Sequence, residues 1–327
     1  MQQSVRLLSL YLRCVSSWPE NDDLTIRSVP SPYQVARKIK ISANSSYKMW
    51  KVIFEKEYLK DLILMPAILP SGISRFYLIV ELSMEKANSI ISELQKITGI
   101  EFIKNSNYMK LRKGNSSVKE YKEIANIQFL SPKENSEKVV QQVANIFQKY
   151  EEEFVPIDFM ERKIETSIPS STHLKVLSQI AYKSVKNFST EELTNNLSYS
   201  RKKARKLLDS LVLDRMIFAK PVYNFKRIPN MITKQMSIVL REEEISDAIR
   251  WIRSCNDLKN NIIHLNQYTH RITLTVFSET LEEMENISTL ISGNFDEVYN
   301  SDKFETHFFY DVQENYRGWV NNSNEKQ

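Results

Sequence analysis

The densest chemistry in this 327-residue sequence is the run Arg201-Lys202-Lys203-Ala204-Arg205-Lys206. Five cations in six residues can hold phosphates, provided an element presents them on one side. Ala204, Leu207, Leu208 and Leu211 follow the i, i+3, i+4, i+7 spacing of a helix. Lys202, Arg205, Lys206 and Asp209 then face away from the apolar stripe, with Arg201 and Lys203 on its shoulders. Ser200 stands where an N-cap belongs, and the free N–H groups of such a helix start can hold an anion. A weaker set of the same kind lies upstream. There Ser42 precedes the stripe Ser46, Met49, Trp50 and Ile53, with Asn44, Tyr47, Lys48 and Lys51 outward and Arg37, Lys38 and Lys40 just ahead.

Other reactive side chains are sparse. The five glycines, at 72, 99, 114, 293 and 318, never cluster, which excludes the glycine-rich phosphate cradles of nucleotide-binding enzymes. Two cysteines, Cys14 and Cys255, make neither a disulfide framework nor a thiolate metal site and point to a reducing, cytoplasmic setting. His264 and His270 with Cys255 match no ligand spacing, so no metal is expected. Trp18, Trp50, Trp251 and Trp319 read as core or interface aromatics, and Glu242–Glu244 as an acidic helix start. No catalytic set and no cofactor site emerges, so the expectation is a chain without enzymatic activity. No run reaches the roughly 18 apolar residues of a membrane span. Val5–Trp18, broken by Arg6 and Arg13, reads as an amphipathic helix and not as a signal peptide.

The elements that must position the two basic sets repeat. The net charge of +5 divides into zero over residues 1–27, +5 over 28–75, +2 over 76–188, +5 over 189–230 and −7 over 231–327. A shift of 158 positions carries Val35, Ile39, Ser42, Ser46, Met49, Trp50 and Ile53 onto Leu193, Leu197, Ser200, Ala204, Leu207, Leu208 and Leu211 without a gap. In the second copy Leu174–Ala181 and a short helix that carries Leu193 and Leu197, capped by Ser189 or Thr190, precede the basic helix, and Met216–Tyr223 alternates as a short hairpin. That order is a winged helix-turn-helix.

The segments downstream of the two basic helices repeat as well. In the first copy Phe76–Leu82 reads as a strand and Met84–Lys96 as a helix. Ile100–Ile103 and Tyr108–Arg112 then pair as strands, and Asn135–Tyr150 is a second helix. Residues 105–130 fit least well. In the second copy the series is Met236–Leu240, Ile245–Ile252, Ile262–Leu265, Arg271–Phe277, Leu281–Ile291 and Phe304–Val312. The order βαββαβ predicts a ferredoxin-like sandwich. The expected fold is therefore α+β. Winged helix-turn-helix domains are expected over 1–70 and 167–230, ferredoxin-like domains over 71–166 and 231–316, and a tail over 317–327.

Each half resembles a module of the Lrp/AsnC family, clearest over 170–230 and fair over 231–312 and 31–60. The resemblance implies a transcription regulator whose sensing domains pair and often bind amino acids. The family's glycine-containing turn is missing from both Leu265–Arg271 and Asn105–Met109, so no ligand residues are assigned and the effector is unknown. One chain carries both copies that a family dimer needs, so an intramolecular pseudo-dimer or a homodimer is expected. The expected function is sequence-directed binding of double-stranded DNA through Ser200, Arg201, Lys202, Lys203, Arg205 and Lys206. Ser42, Asn44, Tyr47, Lys48 and Lys51 would assist. The alternative is a scaffold whose winged helices dock proteins.

Overall fold

The computed structural model describes residues 5–15, 29–111, 121–162, 164, 166–187, 190–308 and 316. Trp18, Trp319 and the whole of the 317–327 tail lie outside them. The first copy opens with α1 (Val5–Val15), α2 (Pro32–Ile39), α3 (Ala43–Glu55) and β1 (Leu59–Pro66). It continues with β2 (Ile73–Leu82), α4 (Ala87–Leu94), β3 (Ile100–Leu111), β4 (Tyr121–Pro132), α5 (Ser136–Lys149) and β5 (Pro156–Arg162). The second copy opens with α6 (Ser171–Ile180), α7 (Thr190–Leu197), α8 (Arg201–Leu213) and β6 (Ile217–Tyr223). Then come β7 (Ile232–Val239), α9 (Ile245–Ser254), the single turn α10 (Asn256–Lys259), β8 (Ile262–Gln267), β9 (Arg271–Ser278), α11 (Leu281–Asn294) and β10 (Glu297–Phe308).

The 158-residue shift recurs in the backbone. Helices α2 and α7, and α3 and α8, start and stop at positions related by it. So do the caps: Ser42 Oγ accepts from the Ser45 N–H at 3.0 Å, and Ser200 Oγ from the Lys203 N–H at 3.3 Å. Left-handed residues also match, Lys40 (φ 57°) with Ser198 (φ 52°) and Glu57 (φ 54°) with Arg215 (φ 55°).

The chain divides into two compact units that sort by kind of structure and not by copy. Residues 1–72, 163–229 and 310–327 form one, and residues 73–162 and 230–309 the other. In the first unit β1 and β6 pair antiparallel, from Leu59 opposite Tyr223 to Pro66 opposite Ile217. Met216–Tyr223 is therefore not a hairpin. It holds one strand, and that strand's partner belongs to the other copy, because a lone strand needs a neighbour for its ladder. Among the described residues no helix is long and apolar enough to cross a membrane.

The second unit is an eight-stranded antiparallel sheet in the order β5-β2-β4-β3-β10-β7-β9-β8. Each run of four has the ferredoxin-like order, and β3 joins β10 to make one sheet. Helices α4 and α5 bury Phe76, Leu78, Val80 and Phe129, and α9 and α11 bury Met236, Ile238, Leu274 and Val298. Two local expectations fail. Ile100–Leu111 is one strand, paired with Tyr121–Pro132, and not a split hairpin. Pro156–Arg162 is a fourth strand that the sequence pattern did not reveal.

Candidate functional site

Period-two alternation that puts Phe76, Leu78 and Val80 under the helices sends Arg75, Tyr77 and Ile79 to the opposite face. In an antiparallel sheet with helices on one side, that face commonly meets water. Here it is enclosed. Tyr268, after β8 at one edge, lies 5.6 Å edge-to-face from Tyr77 of β2 and accepts a hydrogen bond from the Asn126 amide of β4. Strands β2 and β4 belong to the other half, so the sheet curls until its halves touch. Tyr77, Ile79, Phe102, Tyr108, Ile124, Tyr268 and Tyr299 form the apolar part of this interior.

Its polar part is unusual for a buried face. Arg75 is 1% and Glu101 0% exposed in the side chain, and they form a bidentate pair with N–O distances of 2.6 and 2.9 Å. Gln128, between them in the sheet, donates to the same carboxylate. A bulge positions the acid: the register of β3 on β4 shifts between Ile100 and Phe102, with Glu101 as the extra residue. Gly99 permits it, with φ +95° and a site where a Cβ would sit 2.5 Å from the Leu130 carbonyl oxygen.

Arg271, at the start of β9, is 6% exposed and donates to Ser237 Oγ at 2.9 Å. Among the described residues no carboxylate pairs with it. Its charge is felt by Tyr108, whose hydroxyl accepts from Gln235 and is pushed up to about 12, chiefly by burial. Lys104, Ser106 and Tyr108 alternate along β3 on this same face. Burial pushes the Lys104 ammonium down to about 8. Gln128 Oε1 and Asn126 Oδ1 are buried and accept no hydrogen bond. The interior thus offers an uncompensated cation, an amine that titrates near neutrality and spare acceptors. Sequence reading missed all of these, because a charged residue in a strand defaults to solvent. The available signal was phase: Arg75, Tyr77 and Lys104, Ser106, Tyr108 alternate opposite to the apolar positions.

The residues expected to touch DNA lie in the first unit. Ser42 and Ser200 cap α3 and α8, with their hydroxyls committed to Ser45 and Lys203. Asn44, Tyr47, Lys48 and Lys51 are exposed on α3, and Lys51 meets Glu55 at 3.7 Å. On α8, Lys202 and Lys206 are exposed, and Lys203 sits 4.0 Å from the Tyr199 ring centroid. Arg201 is tied to Glu191. Arg205 and Asp209 line a cleft whose far wall is Pro32 and Trp50 of the first copy. All five cations of α8 are thus exposed, with Arg201 and Lys203 engaging Glu191 and Tyr199 and Arg205 lining the cleft.

No family model matches the sequence, and no curated protein does. Solved structures do align along it. One is the crystal structure of the siroheme decarboxylase NirDL, with TM-score 0.49 and 13% identity over 97% of this chain and 99% of that one. Another is the same decarboxylase in co-complex with an iron-uroporphyrin III analogue, with TM-score 0.46 and 14% identity over 92% and 96%. Both are an enzyme and not a DNA-binding regulator. The expectations of sequence-directed DNA binding, transcription regulation and absence of enzymatic activity are corrected accordingly, although alignments this weak assign neither a substrate nor a reaction to this chain.

Proposed function

We propose that this chain is an enzyme that acts on a small anionic molecule held inside the curled sheet. The observation that carries the reading is Arg271, a guanidinium buried with one hydroxyl partner and no carboxylate among the described residues. Burying an uncompensated charge is costly, and a bound carboxylate or phosphate supplies the compensation with two parallel hydrogen bonds. Lys104, lowered to about 8, exchanges a proton at near-neutral pH and is the candidate general acid–base. Asn126 and Gln128 present acceptors for the ligand's own donors. We read the helical sets as degenerate winged helix-turn-helix modules of Lrp/AsnC type that serve as scaffold. One chain then supplies both halves of a pseudo-dimer, with domains over 1–70, 71–166, 167–230 and 231–316.

The test is calorimetric titration of the full chain with aliphatic polycarboxylates, sugar phosphates and iron-uroporphyrin III, followed by mass spectrometry of each binder after incubation. A ligand of this class should bind, lose about tenfold or more in affinity in Arg271→Gln, and be converted by wild type but not by Lys104→Met. Binding that ignores Arg271→Gln would sink the assignment of the site. Binding without conversion under every condition would sink the assignment of an enzyme.

A further inference from the structure

The first unit contains a cavity of its own. It has a volume of about 600 Å³ and lies between the helices of the two copies, within the roughly 300–1,000 Å³ of small-molecule sites. One wall is Pro32 at the start of α2 with Trp50 of α3, and the other is Leu208 of α8. These give it an apolar body. Three cations reach it, and they are not equivalent. Arg201 is tied to Glu191, which also lines the cavity. Arg205 and Lys186 have no carboxylate at ion-pair distance among the described residues, although Lys186 lies 5.9 Å from the Phe54 ring centroid. One acid, Asp209, shares the cavity with Arg205. Burial holds its carboxyl above the ordinary value, while the charge of Arg205 pulls the other way.

We propose that this cavity is a binding site for a heteroaromatic carboxylate. The acid group pairs with Arg205 and Lys186, the ring packs between Trp50, Pro32 and Leu208, and Asp209 accepts a hydrogen bond from a ring N–H. Each part answers one feature of the lining: the exposed cations Arg205 and Lys186, with no carboxylate at ion-pair distance among the described residues, attract an anion, the apolar walls accept a flat body, and the half-buried acid accepts from a donor. An aliphatic diacid leaves the walls empty, and a neutral ring leaves the cations unpaired. Because the lining comes from both copies, neither copy alone makes the site.

The probe is indole-3-acetate, titrated calorimetrically into the full chain, with indole and naphthalene-1-acetate as controls. Indole lacks the acid and naphthalene-1-acetate lacks the N–H. Indole-3-acetate should bind saturably. Arg205→Gln and Lys186→Gln should each weaken it by roughly tenfold, and Asp209→Asn by less. Naphthalene-1-acetate should bind more weakly than indole-3-acetate, and indole more weakly still. Arg205 and Lys186 lie outside the core, so unchanged circular dichroism accompanies both variants. Arg271→Gln, in the other unit, should leave this affinity unchanged, which separates this site from the curled-sheet interior. No saturable binding, full affinity in Arg205→Gln, or loss in Arg271→Gln with none in Arg205→Gln would overturn the proposal.

Discussion

The two halves of the eight-stranded sheet share a strand order and carry helices on the same face, yet they treat buried charge in opposite ways. In the first half Arg75 meets Glu101, and Gln128 completes the carboxylate. In the second half Arg271 meets a serine hydroxyl. The bulges show the origin of the difference. Both halves shift register near the start of the strand after the first helix, between Ile100 and Phe102 and between Ile262 and His264. The extra residue is Glu101 in one and the buried Ile263 in the other. The first half has closed the charge of its arginine within the chain, and the second has left its arginine open. A closed pair fixes structure, whereas an open buried cation adds a cost that folding bears and a ligand relieves.

That contrast can be broken most directly by Arg75→Met. It strands Glu101 without its cation and should cost about 3–5 kcal/mol in urea denaturation, most of it recovered in the double variant Arg75→Met/Glu101→Leu. A loss below about 1 kcal/mol would show that the pair does not hold the first half together. Gly99→Ala attacks the bulge that places Glu101. A side chain at φ +95°, pressed on the Leu130 carbonyl, should cost about 1–3 kcal/mol from the dihedral alone, measured the same way. Gly72→Ala, at φ +80° with open space, should cost only about 1 kcal/mol.

Lys104 sharpens the comparison through pH. Its folded pKa lies near 8, below the unfolded value near 10.5, so the unfolded chain binds more protons between those limits. Wild-type stability should therefore rise with pH from about 8 to 10.5, by up to about 1.4 kcal/mol per pH unit. In Lys104→Met that contribution should vanish, and an identical slope in both proteins would show that the buried amine does not titrate there. Ser42→Ala and Ser200→Ala should each cost about 1 kcal/mol, nearly equally, because their cap geometries match. Smallest is Arg271→Met, expected within about 1 kcal/mol of wild type in ligand-free protein, since it strands no acid. If it costs as much as Arg75→Met, the two halves do not differ as described.

Much of the scaffold was legible in the sequence because it obeys simple periods. The stripe Ala204, Leu207, Leu208, Leu211 and its counterpart around Met49 and Ile53 revealed the repeat, and the backbone reproduces it at every helix end from α2 to α3. The hidden elements are those whose buried side chains are polar. The second half of β3, Lys104-Asn105-Ser106-Asn107, reads as loop because its partner is a polar interior and not an apolar core. Strand β5 opens with a proline and buries only Asp158 fully, so no alternation announces it. Lys202, Arg205 and Lys206 are exposed as the helical pattern predicts, but nothing in a linear sequence shows that Arg205 and Asp209 also line a cleft against the first copy. Nor does it show which units form: strands of one type assemble from two copies that lie a 158-residue shift apart in the chain.

The join between β3 and β10 sets a schedule for synthesis. When Leu111 leaves the ribosome, the strand that will cover β3 begins about 190 residues later, at Glu297. At ordinary elongation rates that is roughly 10–40 s during which the first half has a twelve-residue edge without its neighbour. Such an edge recruits any strand of another chain. The polar side chains along it, Lys104, Asn105, Ser106 and Asn107, make that recruitment unfavourable while the nascent chain waits.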